Sequence, residues 1–255
     1  MHDFRGISIS QVISKVFEKC VLSRYEMFFT SSDNQFGFKR GLGCSQAIYT
    51  VKSVVNEYTS AGSTVNLCAL DLRKAFDKLN HFGLFIKLMD RAIPTSLLSV
   101  IEHWMFISVT CVRFCDLFSC FFRVSCGIRQ GGVLSPFLFA VYVDDIVRKV
   151  DESDLGCRLG LKRIAIILYA DDILLIAPSV DSLQKLLHIV ELELFELDMS
   201  LNTKKSVCIR FGPRYQSPCC SLKSIKGDDI LWVASCRYLG AVSYTHLTLP
   251  TNREV

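Results

Sequence analysis

The ten residues "LYADDILLIA", from Leu168 to Ala177, place two adjacent carboxylates inside an otherwise apolar run. The runs on either side are rich in residues that strands favour, so a tight turn between them predicts a hairpin with Asp171 and Asp172 at its tip. No lysine, arginine or histidine lies between Ile164 and Ala177 to neutralise the two acids. A solvated turn is one explanation, because aspartate favours turns. A bound divalent cation, which prefers hard oxygen ligands, is the other.

A second Tyr-x-Asp-Asp pattern, in "VYVDDIVRK", follows a Ser-Pro dipeptide of the kind that starts helices. Helical spacing gives an apolar face made of Phe139, Val143, Ile146, Val147 and Val150. Asp144 and Asp145 then lie on the opposite face. Arg148 comes four residues after Asp144 and Lys149 four residues after Asp145, which is the spacing of helix ion pairs. This pattern predicts a solvated helix surface without a catalytic role.

A third carboxylate is expected close to the hairpin. Asp71 ends the apolar run "TVNLCALDL", which predicts a buried strand, and a side chain at a strand end can meet a neighbouring hairpin tip. Asp77 follows six residues later, where the role of an ordinary polar residue stays open. One strand-end carboxylate beside a carboxylate pair suits two-metal phosphoryl transfer, in which the cations lie about 3.5–4 Å apart. Asp71, Asp171 and Asp172 are therefore the candidate catalytic acids.

Patterns along the rest of the chain predict helices alternating with strands. Helices are expected near residues 12–21, 45–58, 84–89 and 182–197, and from Thr95 onward, with a strand-rich stretch over 104–127. Half of the 255 residues are hydrophobic and 21% are charged, which excludes a disordered chain. The sequence contains no repeat or low-complexity linker, which favours one domain. No apolar run reaches the roughly 18 residues that span a membrane, so no membrane partner is expected.

Twelve cysteines and a net charge of +4 add weaker constraints. No secretory signal is recognised at the start of the sequence, so we expect reduced thiols in an intracellular protein, cytoplasmic or nuclear. Cys111, Cys115, Cys120 and Cys126 lack the paired short spacings of zinc sites and are expected in the core. The charge is compatible with a polyanionic partner but does not by itself indicate one.

Seven segments resemble, in order, the motifs of reverse transcriptases, above all those of non-long-terminal-repeat (LINE-like) retrotransposons. The two finger-like segments are "RGISISQVISKVFEK" and "NQFGFKRGLGCSQAI". The five palm-like segments are "ALDLRKAFDKLNH", "GIRQGGVLSPFLF", "LYADDILLIA", "LNTKKSVCIRF" and "CRYLG". The resemblance runs from about Phe4 to Gly240, nearly the whole chain. Tyr169 stands where phenylalanine is more usual in this group, which leaves the subgroup open.

The resemblance implies an α/β (α+β) fold: a right-hand polymerase palm with partial fingers, in which an antiparallel sheet packs on helices. Residues 1–241 would form this domain, and the thumb that follows "YLG" in the family would be missing, exposing apolar surface around Tyr238 and Leu239. Residues 242–255, "VSYTHLTLPTNREV", have no counterpart in the family. Back-translated, they resemble a transposase adapter used for sequencing libraries, so we expect a non-native tail without a place in the fold.

The resemblance also implies roles for individual residues. Asp71 and Asp171 would bridge two Mg²⁺ ions, for which Mn²⁺ could substitute, with Asp172 as the third acid. The backbone carbonyl of Leu72 would complete a metal shell. Phe76 would be the aromatic gate that leaves no room for a ribose 2′-hydroxyl.

Further residues would contact the substrates. Gln130 and Gly131 would touch the incoming nucleotide and the template. Lys39 and Arg40, in "GFKRG", would hold nucleotide phosphates, and Lys205 would protonate the leaving pyrophosphate.

The implied activity is that of an RNA-directed DNA polymerase, which transfers dNTPs onto a primer 3′-hydroxyl. Its partners would be an RNA template, a DNA primer and dNTPs, with no obligate protein partner. Without its thumb, the chain would polymerise little by itself. An RNA-dependent RNA polymerase shares the palm chemistry, but Phe76 and "GIRQGG" argue against it. A catalytically inactive remnant that only folds or binds nucleic acid is the second alternative.

Overall fold

A computed structural model describes residues 8–39 and 41–244 of the chain. Its α-helices are α1 (Val12–Tyr25), α2 (Cys44–Ser60), α3 (Ala75–Lys78), α4 (His81–Asp90), α5 (Thr95–Phe106), α6 (Ser135–Glu152) and α7 (Val180–Glu196), and a 3-10 helix covers Glu26–Phe29. The strands are β1 (Val65–Leu70), β2 (Val109–Thr110), β3 (Arg113–Phe114), β4 (Leu117–Phe118), β5 (Phe122–Arg123), β6 (Cys157–Leu159), β7 (Lys162–Ile164), β8 (Ile166–Tyr169), β9 (Asp172–Ala177), β10 (Val207–Phe211), β11 (Leu222–Lys223), β12 (Asp229–Trp232), β13 (Ser235–Tyr238) and β14 (Ala241–Tyr244). The predicted helices are confirmed. The predicted strand-rich stretch over 104–127 is confirmed only in part, because its first residues belong to α5 and its four strands, β2 to β5, are two residues long. Among the described helices, none combines the length and the apolar character needed to cross a membrane.

The chain divides into two compact units, each assembled from two segments. The first unit contains Met1–Thr30 and Lys74–Tyr142, and the second contains Ser31–Arg73 and Val143–Val255. The assignment of residues 1–241 to one domain stays a prediction.

The first unit is mainly helical, and α4 illustrates how its sequence forms a helix. The Asn80 side chain accepts hydrogen bonds from the backbone N–H groups of Phe82 and Gly83, which caps the first turn. The helix ends before Pro94, and α5 begins at the next residue. Buried apolar residues of this unit come from both helices, from the start of α6 and from the residue before it: Leu84, Phe85, Leu88, Leu97, Ile101, Leu134, Leu138 and Phe139.

Helix α1 forms as predicted, but most of its apolar residues do not enter this core. Val12 and Ile13 are each 77% exposed, whereas Glu18 is fully buried. The Glu18 carboxylate accepts hydrogen bonds from the Ser14 hydroxyl at 3.2 Å and from the Leu134 backbone N–H at 2.8 Å. Hydrogen bonding of this kind offsets the cost of burying a carboxylate.

The second unit is built on a six-stranded sheet in the order β11-β12-β10-β1-β9-β8. Neighbouring strands within this sheet run antiparallel, except for β10 and β12, which are parallel. Helix α2 packs on one face, where its apolar side chains join those of the central strands: Ala47, Val51, Val54, Val55, Val65, Leu67, Leu174, Ile176, Ile209 and Phe211. Helix α7 contacts β9 and β1, and its buried leucines lie outside that cluster, on the other face. Cover on both faces explains why β1 and β9 are almost continuously apolar.

The expectation that the cysteines are buried holds for only part of the set. Cys68, Cys157 and Cys208 are buried, and burial raises the pKa of the Cys157 thiol to about 12. The expectation was wrong for the cluster after α5: Cys115, Cys120 and Cys126 are exposed and Cys111 is partly exposed. The strands there are only two residues long, so the side chains project from thin hairpins instead of a packed layer. All twelve cysteines are free thiols.

The exclusion of the tail from the fold was wrong for its first residues. Strand β14 pairs Val242 with Arg237 and Tyr244 with Ser235, whereas residues 245–255 lie outside the described part. The turn of this hairpin, Leu239-Gly240, has positive φ at both positions, as a type I′ turn requires. Backbone pairing across such a turn needs no particular side chains. Whether the tail is native stays a prediction.

Candidate active site

Two of the candidate acids lie at the same end of adjacent strands in the second unit. In the antiparallel pair of β1 and β9, Leu70 is the partner of Ile173. Asp71 follows Leu70 and Asp172 precedes Ile173, so both acids come one position beyond that pair. The predicted hairpin is confirmed, since Tyr169 pairs with Asp172 and Asp171 lies in the turn between them. The backbone positions of the three predicted acids therefore lie at the edge of the sheet where β1 ends and the β8–β9 hairpin turns.

Asp71 is held by a turn that sequence reasoning missed. The Asn202 side-chain amide donates to Asp71 Oδ2 at 2.9 Å, and the Asn202 backbone N–H donates to the Asp71 carbonyl at 2.8 Å. The Asp71 N–H donates to the Ser206 hydroxyl at 3.1 Å. Both residues belong to "LNTKKS", the segment in which only the lysine had been given a role. The one local sign of this turn in the sequence was Asn202-Thr203, because asparagine and threonine side chains favour turns.

Leu72 continues the chain into an isolated antiparallel bridge with Leu201. Hydrogen bonds flank the bridge, from Arg73 N–H to the Ser200 carbonyl and from Asn202 N–H to the Asp71 carbonyl. In this pattern the bridged pair itself is not hydrogen-bonded, so the Leu72 carbonyl points away from Leu201. Because β1 lies between β10 and β9 in the sheet, that direction is the β9 side, where Asp172 begins its strand.

The chemistry of the donors at this edge suits a divalent cation such as Mg²⁺. Carboxylates and backbone carbonyls are its preferred protein ligands, and Mg²⁺ commonly uses one or two carboxylates together with substrate phosphates. Within residues 8–39 and 41–244, no three His, Cys, Asp or Glu side chains are gathered into a group able to hold a metal. The fit therefore rests on the type of ligand and on the strand register that aligns Asp71 with Asp172.

The predicted lysines of the second unit lie on two different loops. Lys205 is exposed in the turn between Asn202 and β10, and its backbone N–H bonds to the Asn202 carbonyl at 3.0 Å. This turn is the one that holds Asp71. Lys39 lies on the loop before α2 and donates from Nζ to the Ser32 carbonyl at 2.6 Å. Partial burial lowers the pKa of Lys39, an effect that the nearby carboxylates of Asp33 and Asp144 oppose.

Arg40 lies outside the described residues. Tyr169, the first residue of the hairpin motif, lies against α2. A side-chain hydrogen bond with the Cys44 thiol and burial together raise the pKa of the Tyr169 hydroxyl.

The remaining predicted site residues belong to the first unit. The Phe76 ring stacks on Phe139 with centroids 4.4 Å apart and planes 16° from parallel. The Gln130 side-chain amide donates to Asp77 Oδ1 at 3.4 Å, and the Gln130 carbonyl accepts from the Ser8 N–H at 2.9 Å. Gly131 has φ +108°, a conformation that favours glycine. The hydrogen bonds of Gln130 to Asp77 and to Ser8 hold the loop that contains Gln130 and Gly131 in one conformation.

The interpretation of the second acidic pair was wrong in its details. Asp144 is buried, only 5% exposed, and accepts a hydrogen bond from the Ser32 N–H at 2.7 Å. Arg148 pairs with Asp145, three residues before it, and Lys149 pairs with Glu152. The helical period gave the apolar face correctly, but it could not show that a loop from residue 31 onward covers the opposite face. Asp144 is therefore a structural anchor and not a solvated surface residue.

Comparisons with known proteins support the resemblance to reverse transcriptases. A family model described as "Reverse transcriptase (RNA-dependent DNA polymerase)" matches residues 1–242. The chain is 26% identical over 210 residues to a "Retrovirus-related Pol polyprotein from type-1 retrotransposable element R2" of Nasonia vitripennis, covering 82% of this chain and 20% of that protein. It is 26% identical over 263 residues to the "RNA-directed DNA polymerase from mobile element jockey" of Drosophila melanogaster, covering 96% and 27%. The chain thus spans less than a third of the length of these relatives.

Solved structures show the same fold at much lower sequence identity. The telomerase of Candida albicans, solved with a fragment of telomeric RNA, superposes with a TM-score of 0.59 at 13% identity, covering 94% of this chain and 37% of that one. A truncated apo telomerase of Candida tropicalis gives a TM-score of 0.60 at 12% identity, covering 95% and 44%. At these identities the likeness establishes the fold alone.

Proposed function

The chain belongs to the reverse transcriptase family, and we propose that it supplies the palm and part of the fingers of a retrotransposon RNA-directed DNA polymerase. The observation that carries the proposal is the strand register, in which Asp71 and Asp172 come one position beyond the same β1–β9 pair and Asp171 lies in the adjoining β8–β9 turn. Relatives described as RNA-directed DNA polymerases of mobile elements support the choice of substrate class. The alternative of a palm that only folds is weakened because all three acids are present.

Asp71, Asp171 and Asp172, with the Leu72 carbonyl, would hold two Mg²⁺ ions. Bound there, the ions would lower the pKa of the primer 3′-hydroxyl and neutralise charge on the triphosphate. The protein's own contribution is mainly to position groups. Asn202 orients the Asp71 carboxylate through its 2.9 Å hydrogen bond, and the β8–β9 hairpin holds the backbone of Asp171 in its turn.

Other side chains would act on the nucleotide. Lys205, on the turn that holds Asp71, would donate a proton from Nζ to the leaving pyrophosphate. Lys39 and Arg40 would bind the phosphates, and the lowered pKa of Lys39 would rise when an anion replaces its carbonyl partner. Gln130 and Gly131 would contact the base pair being formed. Phe76, held in place by stacking on Phe139, would exclude the 2′-hydroxyl.

The test is primer extension on an RNA template, with dNTPs compared against ribonucleotides and with Mg²⁺ present or removed by a chelator. Because the relatives are longer, the assay uses the chain extended beyond Ala241 by the segment that follows the matched region in a relative, called the extended chain below. We expect Mg²⁺-dependent incorporation of dNTPs. Preferential use of ribonucleotides would favour an RNA-dependent RNA polymerase. A folded extended chain that binds primed RNA without extending it would favour the inactive remnant.

A further inference from the structure

The strand that leads into the acidic hairpin is paired on both sides, although it is the last strand of its sheet. On one side β8 pairs with β9, and Leu168 is the partner of Ile173. On the other side, the Leu168 N–H donates to the Asn34 carbonyl at 2.9 Å and the Phe36 N–H donates to the Leu168 carbonyl at 2.8 Å. Residues 34–36 therefore cover the edge of β8 two residues before the hairpin turn.

Gly37 then passes directly against that turn. A Cβ at this position would lie 2.5 Å from the Ala170 backbone nitrogen and 3.2 Å from the Tyr169 carbonyl carbon. Both atoms belong to the backbone and cannot rotate away as a flexible side chain could. Ala170 already has φ +57°, which is unfavourable for a residue with a side chain. The turn thus has little freedom to retreat from an added methyl group.

Gln35 holds Gly37 in this position. Its side chain is fully buried, and its Oε1 accepts a hydrogen bond from the Gly37 N–H at 3.2 Å. Among the described atoms, Gln35 Nε2 is buried without a hydrogen-bond partner. Burying an unpaired donor costs free energy, so the packing of this residue is maintained against a penalty.

The same segment is tied to helix α6 and to the loop that carries Lys39. The Ser32 N–H donates to Asp144, the Ser32 carbonyl accepts from Lys39 Nζ at 2.6 Å, and the Asn34 side-chain amide donates to Asp151 at 3.3 Å. Burial raises the pKa of the Asp151 carboxyl, and the Asn34 bond opposes that effect.

We propose that Asn34–Gly37 is a positioning segment that fixes the acidic hairpin relative to the loop carrying Lys39, and that Gly37 sets their separation. The significance of this for nucleotide addition rests on the proposed function, because it would keep the phosphate-binding lysine in register with Asp171 and Asp172. Gly37, Gln35 and Asn34 are then positioning residues that act through the hairpin and need not touch the substrate.

Hydrogen exchange in the 255-residue chain tests the proposal without relying on activity. Gly37→Ala should make the amides of Phe36 and Leu168 exchange about tenfold faster or more, because the segment must move off β8. The matched control is Gly43→Ala in the same loop, where the nearest atom to an added Cβ is the flexible Gln46 Oε1 at 3.6 Å. The control should leave both amides protected.

A second substitution distinguishes a local clash between Gly37→Ala and the hairpin turn from a loss of stability throughout the protein. Adding Ala170→Gly to Gly37→Ala should restore protection of Leu168, because glycine lets the turn shift away from the new methyl group. Gln35→Ala removes the acceptor for Gly37 without adding an atom, and it should also speed exchange at Leu168. If Gly37→Ala does not fold, exchange at the Leu168 amide in Gln35→Ala tests the proposal instead. Unchanged exchange at Leu168 in the folded variants would overturn the proposal.

The rate of single-nucleotide addition in single and double variants tests for coupling between Gly37 and Lys39, which a purely structural role of Gly37 would not produce. If the segment links Lys39 to the hairpin, Gly37→Ala combined with Lys39→Ala should lose less activity than the product of the two single losses. Independent losses that multiply would contradict the link. These rates are measured in the extended chain. If the extended chain with no substitution adds no nucleotide while the 255-residue chain shows the predicted exchange pattern, the result would count against the proposed function and leave the positioning segment standing.

Discussion

Tyr238 shows how the structure changes an expectation at the scale of one residue. Apolar surface was expected to be exposed around it, but its side chain is 9% exposed and joins the cluster beneath the sheet. That expectation was wrong because Tyr238 packs among the apolar side chains of α2 and the sheet. Its hydroxyl is buried without a hydrogen-bond partner among the described atoms, and burial raises its pKa.

Tyr238→Phe should therefore leave the free energy of unfolding unchanged or raise it by up to about 1 kcal/mol, because it removes an unpaired buried hydroxyl. Tyr58→Phe is the matched control. The Tyr58 oxygen accepts a hydrogen bond from the Arg158 N–H at 2.9 Å, so its loss should cost about 0.5–1.5 kcal/mol. Denaturant unfolding measures both. An equal loss in the two variants would show that the Tyr238 hydroxyl has a partner.

Phe76 carries the prediction about sugar selectivity. In the extended chain, Phe76→Val should raise the ratio of ribonucleotide to deoxynucleotide use by at least about tenfold, the scale on which pockets discriminate small groups. Some stability should be lost as well, because the stacking on Phe139 disappears. The ratio of kcat/KM values is the measurement. A ratio that stays constant while stability falls would make Phe76 a packing residue only.

At the scale of elements, helix α6 anchors the loop that begins at residue 31. Asp144→Ala should lower the free energy of unfolding by about 1–3 kcal/mol, because it leaves the Ser32 N–H without its acceptor. Asp145→Ala removes a partly exposed pair with Arg148 and should cost at most about 1 kcal/mol. Denaturant unfolding of both variants compares the two acids. Equal small losses would restore the view of Asp144 as a solvated residue.

The elements of the sheet and its helices were predictable because each rests on a local pattern. The two strand-favouring apolar runs on either side of Asp171 and Asp172 predicted the hairpin, and the apolar run before Asp71 predicted β1. What could not be predicted depends on contacts distant in sequence. Asn202 reaches Asp71 across 131 positions, and Ser32 reaches Asp144 across 112. A periodic pattern records which face of an element is apolar, but not which loop covers its polar face.

At the scale of the whole molecule, exposed apolar surface is concentrated in the first unit. Phe114, Phe118 and Phe121 are 76%, 66% and 75% exposed on the short hairpins after α5. Large exposed apolar patches favour association, so the 255-residue chain should self-associate with rising concentration. Replacing these three phenylalanines by serine should reduce the association in sedimentation velocity, whereas Tyr238→Phe should not. If the triple replacement leaves the association unchanged, the surface responsible for it does not include these three phenylalanines.

In the proposed function the hairpin pair, and not the helix pair, performs the chemistry. The most direct test compares Asp171→Asn with Asp145→Asn in the extended chain, on one primed RNA template with saturating dNTPs and Mg²⁺. Asp171→Asn should lower the extension rate by at least about 100-fold, exceeding the usual cost of losing an outer-shell partner of a metal ligand. Asp145→Asn should keep close to the parent rate. Loss of extension in Asp145→Asn together with retained extension in Asp171→Asn would contradict the account.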